Sequence, residues 1–228
     1  MKIADLFFSI QGEGRLMGMP SAFVRTTGCP LRCAWCDTEY TSWQPQGEMM
    51  TVAEILTRLA EFPTRHVVVT GGEPLIAPGI EELCAGLHRR GYHITIETAA
   101  VLFKDVACDL ASLSPKLTNS IPYRREGGRW AARHDKQRLR LDVIQEFMER
   151  SDYQLKFVIE QAEDVEEART IVAQLRGVDP AKVLLMPQGV RHEELARCGL
   201  WLAEICKRYG YRFCPRLHIE LYGNRRGV

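Results

Sequence analysis

The chain has 228 residues, 46% of them hydrophobic, and its 30 lysines and arginines against 29 acidic residues leave a formal net charge of +1. That size fits one domain, expected over residues 1–228, with a core that needs no disulfides. The balance excludes a broad attraction to nucleic acid, and no apolar run is long enough to span a bilayer.

The opening MKIADLFFSIQGEG holds only a short apolar stretch, so no leader is expected and the expected location is cytoplasmic. Apolar, β-branched runs then predict strands at Ala22–Arg25, His66–Thr70, His93–Glu97, Val106–Leu110, Gln154–Ile159 and Lys182–Met186. Between them, Val52, Ile55, Leu56 and Leu59 recur at helical spacing behind Thr51 and Glu54, the two ends of a capping box. Leu139, Val143 and Phe147 mark a second helical stripe, and Leu195, Cys198, Leu202 and Ile205 a third. No helical pattern separates the third and fourth strands. Strand and helix in alternation predict an α/β fold with a parallel sheet. Six such strands suit a partial, open (β/α)6 barrel, with a doubly wound sheet as the alternative. In both, ligands sit beyond the C-terminal strand ends, where the polar runs Thr26–Asp37, Gly71–Pro74, Thr98, Ser114–Lys116 and Pro187–Gly189 fall.

The eight cysteines do not form a disulfide framework, because so large and apolar a chain does not need one. Cys84, Cys108, Cys198, Cys206 and Cys214 stand singly in apolar or helical surroundings, as small hydrophobes do. Cys29, Cys33 and Cys36 differ, for they crowd one loop at about 26–38. Three thiolates can hold three irons of a [4Fe-4S] cube and leave the fourth open. Structural zinc is the competing reading, but it wants a fourth ligand, and no cysteine pair or histidine follows at a suitable spacing. Leu31 and Trp35 would limit solvent there.

Thr70-Gly71-Gly72-Glu73-Pro74 ends a buried strand with two glycines, which let a ligand approach the backbone, and with one anion suited to an ammonium. A plain tight turn is the alternative. Gln11-Gly12-Glu13-Gly14 is a permissive loop that can turn an amide and a carboxylate toward one ligand. Arg25 offers a rigid fork to a carboxylate. Asp37 and Thr38 are hard oxygen donors suited to Mg²⁺, or equally the residues of an Asx or ST turn. The basic stretch from Arg124 to Arg140 reads as a solvated loop and helix face, with a polyanion or partner site as the alternative.

Together these motifs resemble the radical S-adenosylmethionine (SAM) superfamily and, within it, the 7-carboxy-7-deazaguanine synthases. The resemblance rests on Gln11-Gly-Glu13-Gly, Phe23-Val-Arg25 with Gly28, the run from Cys29 to Thr38, and Thr70-Gly-Gly-Glu73-Pro74. Glu97-Thr98, Ser114-Pro115-Lys116 and Met186-Pro187-Gln188-Gly189 extend it toward the C-terminus. It implies an abridged radical SAM barrel, usually a homodimer, that contracts the ring of 6-carboxy-5,6,7,8-tetrahydropterin to 7-carboxy-7-deazaguanine with loss of ammonia, in queuosine and deazapurine biosynthesis. The implied cofactors are a [4Fe-4S] cluster, SAM and Mg²⁺, with a flavodoxin- or ferredoxin-type electron donor and no stable nucleic acid or membrane partner.

By the same resemblance Asp37, Gly71, Gly72, Glu73, Thr98, Ser114, Lys116 and Gln188 would bind SAM. Gln11, Glu13, Arg25, Thr70 and the carboxylate of Val228 would bind the pterin, and Thr38 the Mg²⁺. The tail at about 210–228 would close the pocket. Two features depart from the family. Ala99-Ala100 replaces the usual Asn-Gly after Glu97-Thr98, and no His-Lys pair stands near the terminus, where His218 lies four positions too early. A glycyl-radical-enzyme activase would share the cysteines and glycines without needing the Gln11–Glu13 loop. An iron–sulfur electron carrier or a zinc-stabilised interaction module would not bind SAM.

Overall fold

A computed structural model describes residues 1–228, and its nine strands belong to one sheet. β1 (Lys2–Ile10) and β2 (Pro20–Thr26) form an antiparallel hairpin, and the two-residue β3 (Glu48–Met49) pairs antiparallel on the free side of β1. From β2 onward every neighbour is parallel: β4 (His66–Gly71), β5 (His93–Thr98), β6 (Leu110–Leu113), β7 (Tyr153–Ile159), β8 (Val183–Pro187) and the short β9 (Arg212–Phe213). β3 and β9 end the order without pairing to each other, so the barrel is partial and open.

The longer helices cover one face. α1 (Glu39–Ser42) is a single turn after the cysteine loop, followed by α2 (Val52–Leu59), α3 (Ile80–Arg89), α4 (Ala131–Gln137), α5 (Leu141–Arg150), α6 (Ala162–Gln174), α7 (His192–Tyr209) and α8 (Leu217–Tyr222). α2 begins on the capping box read from Thr51 and Glu54, with both reciprocal bonds present. The stripes on α5 and α7 also bury, although Leu139 lies ahead of α5 and Ile205 is only partly covered.

Period-two alternation decides which strand residues meet the helices. Val67, Val69, Ile94, Ile96, Leu155, Phe157 and Leu185 point outward into the main core with Ile55, Leu83, Phe147, Ile171 and Leu202. Their neighbours Val68, Thr70, Glu97, Lys156, Val158 and Met186 line a cavity on the other face. Full burial of each aliphatic chain contributes roughly 1.5–3 kcal/mol, which holds the layers together and leaves the inner face free for polar groups.

The fourth strand lies at Leu110–Leu113, not at Val106–Leu110. Asp109 turns the chain into the sheet: its carboxylate accepts from the Ile94 N–H at 2.7 Å, and its own N–H donates to Ile94 O at 2.9 Å. Val106, Ala107 and Cys108 pack against the core as loop. Sequence patterning also overlooked β1, β3 and β9. β1 is half covered on both faces and so lacks a clean alternation. No helix of the chain is long and apolar enough to cross a membrane.

Candidate active site

The C-terminal ends of the parallel strands open into a cavity of about 540 Å³, within the range of small-molecule sites. Every candidate residue from the sequence lines it except Glu73. Two loops build its cluster end. After β2 the chain runs through Gly28 to the cysteines, and at the end of β4 it passes Gly71 and Gly72. The loops are tied by Glu73 N–H to Gly28 O at 2.8 Å and Gly72 N–H to Thr26 O at 3.3 Å. Glycine is required at both positions. Gly71 has φ +146°, and a Cβ there would sit 2.2 Å from Thr26 O, while one on Gly72 would sit 2.2 Å from Gly28 O and 2.8 Å from Cys29 Cβ.

Glu73 is fully buried just behind the cavity wall. Its carboxylate accepts from Thr98 Oγ1 at 2.8 and 2.9 Å, from Ala99 N–H at 2.9 Å and from Leu75 N–H at 3.2 Å. Burial outweighs these bonds and raises its pKa. The side chain therefore braces the Gly72 turn against the end of β5. The same bonds give the Ala99-Ala100 step its role, since Ala99 contributes a backbone donor and needs no side-chain contact.

The three cluster-loop cysteines all face the cavity, with Cys33 in a small apolar group of Leu31, Ala99 and Val101. Burial first, and then the neighbouring Cys33, pushes the Cys29 thiol up to about 12, and burial raises Cys33 to about 12 and Cys36 above its usual value. Such thiols become thiolates when a cation or cluster supplies positive charge, so this donor set fits an iron–sulfur cube. No three His, Cys, Asp or Glu side chains converge on a position for a single ion, whereas a cube takes one thiolate per iron.

The loop is held from the basic segment and from the turn just before it. His134 Nδ1 accepts the Arg32 N–H at 3.0 Å, Ser120 O accepts the Ala34 N–H at 2.8 Å, and Arg125 pairs with Glu39 at 2.7 Å. Arg124, Arg129, Arg133, Lys136 and Arg140 remain exposed, as expected of a solvated face. Arg138 turns inward to Glu167 at 2.8 Å.

At the other end, Arg25 pairs through Nε with Asp5 at 3.2 Å and reaches Thr38 Oγ1 at 3.5 Å. Thr38 donates to Asp37 at 2.9 Å, and Asp37 pairs closely with Arg216. These contacts replace the turn reading: the Thr38 side chain makes no cap bond to α1. Lys116 donates to Ser114 Oγ at 2.8 Å and stands over the Trp35 ring. Glu13 is buried between Lys156 at 2.6 Å and Arg216 at 3.0 Å. Burial alone would raise its pKa, but the two cations hold it well below the carboxylate range. Burial likewise opposes the charge on Lys156 and Arg216, and their acidic partners keep both protonated.

Lys156, Arg216, Glu97 and His218 are cavity residues that were not among the sequence candidates. Lys156 carried a signal, since a lysine two positions after Gln154 in an otherwise apolar strand marks a polar inner face. His218 reaches the cavity because α8 folds back over Gly12, where a Cβ would meet its ring at 2.0 Å. Spacing from the terminus hid it.

A parallel, incompletely closed barrel with three cysteines after its first parallel strand defines a radical SAM protein. The Radical SAM superfamily model matches residues 23–150, more than half of the chain. A 7-carboxy-7-deazaguanine synthase of Rhodopirellula baltica is 43% identical over 227 residues, covering 99% of this chain and 88% of that protein. One of Halobacterium salinarum is 40% identical, covering 98% and 91%. The crystal structure of QueE from Escherichia coli shares the fold, with a TM-score of 0.69 and 24% identity over 95% of this chain and 94% of its own. The chain belongs to the 7-carboxy-7-deazaguanine synthase family of radical SAM enzymes.

Proposed function

We propose that this enzyme converts 6-carboxy-5,6,7,8-tetrahydropterin to 7-carboxy-7-deazaguanine with loss of ammonia, as a step of queuosine biosynthesis. One observation carries this reading: a single cavity gathers the three thiols at one end and Gln11, Glu13, Arg25 and Thr38 at the other. A SAM-cleaving activase acting on a protein glycine would have no use for that second, charged end.

In this reading Cys29, Cys33 and Cys36 hold a [4Fe-4S] cluster. Bound together, cluster and SAM supply the radical that abstracts hydrogen from the substrate. The protein's part is orientation and enclosure. Gly71 and Gly72 offer backbone to the amino-acid end of SAM, and Thr98, Ser114, Lys116, Asp37 and Gln188 offer polar contacts along the cavity wall. Arg25 takes the pterin carboxylate beside Thr38, whose hydroxyl is the hard donor for Mg²⁺. Gln11, Glu13 and Thr70 meet the ring, and the Val228 carboxylate closes the pocket with the tail 210–228. The whole of 1–228 acts as one domain. A homodimer in the cytoplasm, reduced by a flavodoxin- or ferredoxin-type donor, completes the assignment.

An anaerobic assay with reconstituted cluster, dithionite, SAM and Mg²⁺ tests it: the deazapurine product is expected. SAM cleavage without that product would overturn the substrate assignment. Cys33→Ser should abolish SAM cleavage, while Arg25→Ala should raise KM for the pterin at least about tenfold, the loss of one charge-assisted contact. Equal loss of SAM cleavage in both variants, with cluster content matched by iron analysis, would contradict the separate roles.

A further inference from the structure

Strand β7 is apolar toward the helices and polar toward the cavity. Leu155 and Phe157 sit in the helix-side core, while Gln154 and Lys156 face the opposite way, 1% and 4% exposed. Both reach across the barrel to the Gln11–Arg15 loop. Gln154 Oε1 accepts the Arg15 N–H at 2.8 Å, and its amide donates to Ser112 Oγ at 2.7 Å. The loop is pressed so closely on the strand that a Cβ on Gly14 would lie 2.4 Å from Gln154 Nε2.

Lys156 does more than anchor the loop. Its ammonium donates to Glu13 Oε2 at 2.6 Å and to Glu97 Oε2 at 3.0 Å, so it joins the loop to the end of β5. Glu13 gives its other oxygen to Arg216 at 3.0 Å, and Gln11 Nε2 reaches the other oxygen of Glu97 at 3.5 Å. Two carboxylates sharing a buried wall repel unless a cation stands between them. A buried ion cluster of this kind seldom adds stability over apolar packing of the same volume, so its placement in a ligand cavity calls for another purpose.

We propose that Lys156 is a positioning residue for substrate recognition, holding Glu13 and Glu97 side by side as paired acceptors for the N–H-bearing edge of an amino-oxopyrimidine ring. This rests on the pterin reading above. The fused ring presents an amino group and a ring N–H side by side, and two adjacent carboxylates match those donors.

The test is equilibrium binding of 6-carboxy-5,6,7,8-tetrahydropterin to the cluster-loaded enzyme with SAM and Mg²⁺ present and no reductant, so nothing turns over. Lys156→Met, similar in length, should weaken pterin binding at least about tenfold and change SAM affinity by less than about twofold. Lys156→Arg should recover most of the loss, because a guanidinium can still bridge both acids. Leu155→Ala loosens the same strand from its helix side and should leave pterin affinity near wild type. Wild-type affinity in Lys156→Met, or an equal loss in Leu155→Ala, would overturn the proposal. Should Lys156→Met fail to load SAM, Glu97→Gln carries the test: weakened pterin binding with SAM retained supports the pairing, and unchanged binding refutes it. If the wild-type enzyme binds SAM but no pterin, the substrate reading itself falls, and this assignment with it.

Discussion

His134 is a neutral imidazole within a basic segment, almost fully buried against the cysteine loop. Burial lowers its pKa to about 4, reinforced by Arg138 and Lys116 and opposed by Asp135. Nδ1 accepts from Arg32, so the proton sits on Nε2 and is shared with Ser120 Oγ at 2.9 Å. The unfolded chain protonates this residue near its ordinary value of 6.5, whereas the folded chain resists until about 4. Its contribution is therefore complete above pH 6.5 and is lost progressively as pH falls toward 4. At pH 5 the loss should be on the order of 1–2 kcal/mol. Urea unfolding at pH 7.5 and 5.0 checks this: the wild type should lose more stability than His134→Gln, and parallel losses would exclude the role. At this scale the motif residues were legible because each motif is contiguous. Lys156 and Arg216 were not, since their partner Glu13 lies 143 and 203 positions away in the chain.

Elements form where local chemistry and burial agree. The Thr51–Glu54 capping box satisfies two of the free donors at the start of α2, and both bonds are present. Thr51→Ala should lower stability by about 1 kcal/mol, read as a reduced thermal midpoint with SAM binding unchanged. A larger loss would mean that Thr51 supports more than its helix. Where the two signals part, patterning misleads. Val106–Cys108 has strand-like residues but lies under the core as loop, and pairing with β5 begins only at Leu110. β1 forms because β2 offers it a full antiparallel partner, a condition no local window contains.

At the scale of the whole molecule, the N-terminal loop and the C-terminal tail meet along the cavity. Leu217 N–H donates to Gly12 O at 2.9 Å, which brings α8 over the Gln11–Glu13 loop. Arg226 then pairs with Asp5 at 2.6 Å and lies over Tyr40, and Asp5 is the same carboxylate that holds Arg25. Deleting Asn224–Val228 removes only half-exposed contacts, so stability to urea should change by less than about 1 kcal/mol. Pterin KM should rise at least about tenfold, because the cavity loses part of its wall. A truncated enzyme with wild-type KM would exclude the tail from the substrate site. Sequence alone pointed to the tail only through resemblance, and it left His218 aside because spacing from the terminus says nothing of a helix folding back.

What the sequence by itself determined was the alternation of strand and helix, the capping of α2, the cysteine loop and the family to which the chain belongs. Each of these is written in neighbouring residues, where spacing and residue type suffice. The tertiary structure decided which charges meet. Glu13 belongs with Lys156 and Arg216, Asp37 with Arg216, and Glu73 with the end of β5 instead of the cavity. Such pairs depend on strand order and on the face each side chain takes. A buried charge settles beside whatever partner the closed fold brings within reach, however distant in the chain.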